Sequence, residues 1–510
     1  MVCFASDQLR AVFAYGRLAT DEDQTLLWYA GRELVHLHLH EPNFYGQNYN
    51  TIFEALPGEL LHLAGLSLSL ASPLGSALMA AGCWVVLAVA ALRRGHRRAA
   101  VAALALPICL SVPYLLLFDA PRGVLGGDLA GAVAVAIALV IRRPRRRVAV
   151  LIALGGLAIA WDNAVALAVI PALVAITASD FRDLVDRPRR TLAIAGAALL
   201  VPVGWLAADH LWYQTHPADL TAPNVNTKLS VSALITNLTH PGRLFGFYEP
   251  QLWQQAAIPM VVIAVLLILA IATGIARRRP ASAAAAVGFL AVLLVVLSVR
   301  DTLYVRPDLY LSGSRFLLAM PIGLWVVLYF TLSGARRGVQ VPRSSRLAGR
   351  LVVGAMVALA LASWTSAQAR FPAEVRAVSA ADSAVHPVLL VLDPDRLLAQ
   401  CSALSQTYAH DHAQLLVTYL RDVAYGCAAD QGLNTLDANY DRRGWLLQAA
   451  AQRPVTRILV HGWTCRAIAS QAGRCRATGN GTVLLVTPLR PPSLSLRLGG
   501  IPIRGAGVRP

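Results

Sequence analysis

The chain has 510 residues, of which 56% are hydrophobic and only 14% charged. A soluble globule carries about 25% charged residues to cover its surface, and a disordered chain is far less apolar. The composition excludes both and fits a polytopic membrane protein with a soluble part attached. The formal net charge is +17, which on a soluble chain would point to nucleic acid. Here the arginines sit in short clusters between apolar runs, at 93–98, 142–147, 187–190, 277–279 and 336–350. That is the pattern of cytoplasmic loops in a membrane protein, so a cell-membrane location and no nucleic-acid partner are expected. Lys228 is the only lysine.

Residues 1–19 contain Asp7, Arg10 and Arg17. They are too polar for a spanning helix or a signal peptide. If 93–98 is cytoplasmic, the segment before it must be exported, so a first spanning helix is expected to precede Met1. The next segment, Thr20 to Glu59, opens with Asp21-Glu22-Asp23-Gln24. Leu26, Leu27, Ala30, Leu34 and Leu37 then form an apolar stripe with Trp28 and Tyr29 beside it. This spacing suits a helix lying in the membrane interface. Glu41-Pro42-Asn43-Phe44-Tyr45-Gly46-Gln47-Asn48-Tyr49-Asn50 follows, then Glu54. Asp21–Asp23 could simply cap the interfacial helix. Three adjacent acids exceed what capping needs, and one could serve as a general base or the group could hold a divalent cation.

Apolar spans follow at 74–92, 99–118, 128–141, 148–160, 163–177, 191–211, 255–275, 281–299, 315–333 and 350–366. Most are long enough to cross a bilayer as helices. The stretch 148–177 is read as two short helices around Asp162 and Asn163, because a single helix would export the arginine-rich loop 180–190. Segments 20–72, 119–127, 212–254, 300–314 and 367–510 are then extracytoplasmic.

From about 370 the composition changes. Pro387–Asp393, Arg457–His461 and Thr482–Thr487 read as strands, and His412–Tyr425 has helical spacing. The expected organisation is a transmembrane domain over 1–366 with about 10–11 spanning helices and an external loop 20–72. A small α/β extracytoplasmic domain over 370–495 and a tail over 496–510 complete it. Cys401, Cys427, Cys465 and Cys475 in the exported part could form two disulfides.

The acids at 21–23, the interfacial helix, and Phe-Tyr-Gly-Gln-Asn-Tyr followed by an acid resemble the first external loop of the C-superfamily (GT-C) membrane glycosyltransferases. The branch is that of the protein mannosyltransferases and aminoarabinose transferases. The resemblance covers about residues 20–366. It implies transfer of a sugar from a polyprenyl-phosphate donor to a cell-envelope glycan, lipid or protein acceptor, with inversion. It also implies that a catalytic base lies among Asp21, Glu22 and Asp23, with Asp21 and Glu22 favoured. Tyr45, Gln47, Asn48 and Tyr49 are the matching motif's substrate-binding residues. The resemblance does not extend to the C-terminal domain.

The chemistry needs a carboxylate near the attacking hydroxyl and cations aimed at the leaving phosphate. Arg300, Arg306 and Arg315 are the phosphate candidates, since a guanidinium bonds two oxygens at once. Snorkelling competes for Arg315, and pairing with Asp301 and Asp308 competes for the other two. Asp162 is read as a hairpin tip. His36, His38 and His40 are read as the end of a helix and a loop rather than a metal cluster, and the sequence identifies no cofactor. The alternative functions are a transporter or flippase of lipid-linked saccharides, and an inactive relative serving as an assembly subunit.

Overall fold

A computed structural model describes residues 2–12, 27, 30–31, 33–37, 39, 42–43, 50–66, 68–109, 124–216, 227–239, 257–276, 280–301, 319–333 and 343–382. It also describes strand segments at 389–392, 417–419, 455–461, 474–479, 482–489, 497–498 and 501–502. Helix α1 (Val2–Ala11) is followed by α2 (Ala55–Leu63), α3 (Leu68–Arg93), α4 (Arg97–Ala105) and α5 (Leu125–Val140). Next come α6 (Pro144–Val150) and α7 (Gly156–Trp161), joined by a π-turn over Leu151–Gly155, then α8 (Ala166–Ser179) and α9 (Phe181–Val185). The last are α10 (Pro188–Thr215), α11 (Val231–Thr239), α12 (Ala257–Ala276), α13 (Pro280–Leu297), α14 (Met320–Leu332) and α15 (Arg343–Asp382). Among the described residues, Leu70–Arg93, Pro188–Thr215 and Pro280–Leu297 are long and apolar enough to cross a membrane, and several shorter apolar helices accompany them.

The core lies between α3, α4, α5, α8, α13 and α14, and Trp84, Leu87, Leu125, Leu139, Phe289 and Trp325 are fully buried in it. Small residues let the helices approach closely. A Cβ at Gly323 would collide with the Leu167 carbonyl, and one at Gly155 would lie 2.6 Å from Val169 Cγ1. The Trp325 indole donates to the Ala99 carbonyl at 2.9 Å, so its one polar atom is satisfied in the core.

The chain reverses at Asp162 between α7 and α8, as the charge rule requires. Arg147 and Asp180, from the two far ends of this hairpin, pair at 2.6 Å. The arginine clusters around 94, 142–147 and 182–190 therefore gather at one end of the bundle. Helix α1 packs against α3 and α15. Its Asp7 and Arg10 are both buried and lie 3.7 Å apart, which offsets the cost of removing each charge from water.

Beyond α15, strands β3 (Leu389–Leu392), β4 (Val417–Tyr419), β5 (Val455–His461), β6 (Arg474–Gly479) and β7 (Thr482–Leu489) form one sheet in the order β4-β3-β5-β7-β6. β3 pairs in parallel with β4 and β5, while β7 is antiparallel to β5 and β6. The helical spacing over His412–Tyr425 is overturned at its centre, where Val417–Tyr419 is a strand. A β-branched pair beside the apolar β3 gains more from sheet pairing than from a lone amphipathic turn. In the expected tail, Arg497–Leu498 pairs with Ile501–Pro502.

Candidate functional site

At the end of the bundle opposite the arginine clusters, the first loop enters the core through a tight turn. Asn50 has φ 66, a left-handed conformation that asparagine tolerates. Thr51 is extended, and Ile52–Glu54 form one 3-10 turn leading into α2. This turn places Glu54, 2% exposed, between two helices. Its carboxylate accepts the Ser76 hydroxyl of α3 at 2.9 Å and the Leu125 backbone N–H of α5 at 2.9 Å. The second contact puts an anion on the positive end of α5. The fit depends on absent side chains: a Cβ at Gly126 would lie 2.7 Å from Thr51 Oγ1, and one at Gly127 2.5 Å from Asp162 Cβ.

Asp162 caps the turn that starts α8, its Oδ1 accepting the Ala164 N–H at 2.9 Å. It is only 6% exposed, so the expected hairpin tip is a buried one. The cause is Gly127, which lets the first turn of α5 press onto it. Asp128, in that same turn, is fully buried. Glu54, Asp128 and Asp162 lie within electrostatic reach of one another. Among the described residues, Asp128 Oδ1 and Oδ2, Asp162 Oδ2 and Thr51 Oγ1 have no hydrogen-bond partner. Burial raises the Asp162 carboxyl well above the ordinary carboxylate range; the Ala164 N–H opposes this and the Glu54 charge adds to it. No group of three or more His, Cys, Asp or Glu among the described residues is arranged to hold a metal ion.

Aromatic rings line the same end. Phe53 and Trp161 lie 5.3 Å apart and Trp161 and Trp205 5.7 Å apart, centroid to centroid. Asn43, 2% exposed, donates its amide to Asp209 of α10. Residues 27, 30–31 and 33–35 are helical, and Leu27 and Ala30 are buried. A Cβ at Gly31 would lie 2.8 Å from Glu59 Cβ, so this helical segment packs on α2.

Asp21, Glu22, Asp23, Tyr45, Gln47, Asn48, Tyr49, Arg306 and Arg315 lie outside the described residues. Arg300 is in strand β2 (Val299–Asp301), which pairs antiparallel with β1 (Thr227–Leu229). In that ribbon Arg300 stands opposite Lys228, and Asp301 opposite Thr227. The sequence reading missed Asp128 and Asp209, and it left Glu54 without a role. The usable signal was polarity in the wrong place: Asp128 and Asp209 interrupt apolar runs of the sequence, Asp128 in the first turn of α5 and Asp209 within α10.

No protein-family model and no curated protein matches the sequence. Two crystal structures of ArnT from Cupriavidus metallidurans are similar to this chain, one in the apo state and one bound to undecaprenyl phosphate. The TM-score is 0.50 for both, with 14% and 15% identity, covering 95% of this chain and 97% of the other. The chain thus has the fold seen in these ArnT structures.

Proposed function

We propose that the protein is a membrane glycosyltransferase that moves a sugar from a polyprenyl phosphate to an extracytoplasmic acceptor. One observation carries this reading: the ArnT fold extends over 95% of the chain, which agrees with the resemblance of the Asp21–Asp23 and Phe44–Tyr49 motifs in the sequence. One of those ArnT structures holds undecaprenyl phosphate, and a donor of that chemistry is the natural ligand of such a fold. The acceptor hydroxyl oxygen bonds to the anomeric carbon as the carbon–oxygen bond to phosphate breaks, with inversion. A carboxylate from Asp21–Asp23 takes the hydroxyl proton. The departing phosphate takes the electron pair, and Arg300, Arg306, Arg315 and Lys228 are the cations for it. Arg300 lies opposite Lys228 in the strand register of the β1–β2 ribbon. The C-terminal domain is exported in this scheme.

A transporter would keep its ionisable groups near the bilayer midplane. Asp128 and Asp162 lie instead at helix ends, which favours an enzyme. The test is transfer from labelled polyprenyl-phospho-sugars in membranes. Replacing the true base, through Asp21→Asn, Glu22→Gln or Asp23→Asn, should slow transfer about 10²–10⁴-fold. Wild-type rates in all three variants would remove the base from this loop.

A further inference from the structure

Helix α10 is almost wholly exposed along its length, as a helix bordered by lipid would be. Its less exposed positions fall on one stripe that includes Ile194, Ala198, Pro202, Trp205, Asp209 and Tyr213. These recur at helical spacing, so a single narrow face meets the bundle. Pro202 fills the space over Gly156, where a Cβ would lie 2.9 Å from Pro202 Cγ. Trp205 meets Trp161, and Trp161 in turn meets Phe53 of the first loop. One turn after Trp205 comes Asp209, the only acid within α10. Its partner is Asn43, 166 residues earlier.

The face of α10 that touches the bundle thus reaches the first loop twice, once through a chain of ring contacts and once through a polar contact. A buried amide of the loop is matched there to a carboxylate that helix packing alone would not require. An acid on that stripe costs desolvation, and the Asn43 hydrogen bond offsets it.

We infer that Asp209 is a positioning residue, tying the first external loop to α10 and so fixing the loop that carries the catalytic acids. This rests on the proposed glycosyl transfer. Asp209 need not touch substrate; it acts through Asn43 on the chain leading into Thr51–Glu54. What it supplies to Asn43 is a hydrogen-bond acceptor, which an asparagine oxygen can also supply.

Asp209→Ala and Asp209→Asn separate this from other roles. Two readouts are needed: steady-state transfer from a labelled polyprenyl-phospho-sugar, and hydrogen–deuterium exchange of the backbone amides over Ile52–Leu63 in detergent. In Asp209→Ala, kcat is expected to fall about 10- to 100-fold, the scale of an ångström of misplacement, with KM changed less than about threefold. Exchange over Ile52–Leu63 should quicken in the same variant. Asp209→Asn should restore both to within about threefold of wild type, since only the acceptor is required. Wild-type transfer and exchange in Asp209→Ala would overturn the inference. So would an Asp209→Asn variant as impaired as Asp209→Ala, which would assign the charge itself a role. If the wild-type protein transfers sugar from no lipid-linked donor, the proposed function fails, and the exchange comparison decides the tether by itself.

Discussion

The two ends of helix α5 are held by opposite chemistry. At its C-terminal end, Arg94 donates to the Leu139 and Ile141 carbonyls, and Arg147 donates to the Ala138 carbonyl and Asp180. Those guanidiniums satisfy carbonyls that the helix leaves open and oppose the negative end of its dipole. At its N-terminal end, Glu54 does the corresponding work for the Leu125 N–H, but Asp128 and Asp162 keep buried oxygens without hydrogen-bond partners among the described residues. The arginine-rich end is matched atom to atom, whereas the acidic end holds more polar groups than packing needs. Native folds tolerate such a surplus mainly where function requires it. The contrast is what the proposed site at the acidic end rests on.

Removing a partner from the matched end should cost most. Arg147→Ala would leave Asp180 without its close ion pair at a mostly buried position, and a loss of about 3–5 kcal/mol is expected, read as a lowered thermal midpoint in detergent. Glu54→Ala comes next. It deprives the Ser76 hydroxyl and Leu125 N–H of a charged acceptor, for a loss of about 2–3 kcal/mol, while Glu54→Gln should lose less. Gly127→Ala tests the close approach at the acidic end. Its new methyl would meet Asp162 Cβ at 2.5 Å, and overpacking of this kind costs about 1–3 kcal/mol.

A pH series sharpens the comparison further. A carboxyl raised in the folded chain holds its proton to higher pH than it does unfolded. Its contribution to stability is therefore full at acid pH, declines from about pH 4 up to its raised native value, and is level above that. Asp162→Asn keeps the Ala164 acceptor and should flatten part of this slope, visible in thermal midpoints between about pH 4 and 8. The smallest effects belong to Gly196→Ala and Gly204→Ala on α10. Nothing lies within 4 Å of a Cβ at either position, so a gain of up to about 1 kcal/mol from helix propensity is expected. Equal costs for Gly204→Ala and Gly127→Ala would break the contrast between a packed and an open helix face.

Much of the bundle was legible because charge is so sparse. The arginine clusters mark one end, and the reversal at Asp162 followed from keeping 142–147 and 180–190 together, as the Arg147–Asp180 pair bears out. The ArnT fold was legible through a short motif in the first loop. The acidic cluster was not, because its members are brought together by tertiary packing. Glu54 and Leu125 are 71 residues apart, and neither position carries a local signal of the other. Asp128 and Asp209 look like isolated interruptions of apolar runs until the helices are packed. The strand at Val417–Tyr419 was misread as helix because a short apolar pattern fits either period until a neighbouring strand decides.

Sealed vesicles of opposite orientation test the central claim most directly. The donor, a labelled sugar on a polyprenyl phosphate, is supplied to one face only. The account predicts that free polyprenyl phosphate appears when the donor meets the acidic end, the outer face in right-side-out vesicles, and that Asp21→Asn or Glu22→Gln suppresses it. Release that requires donor at the arginine-rich face, or that is absent from both orientations, would contradict it.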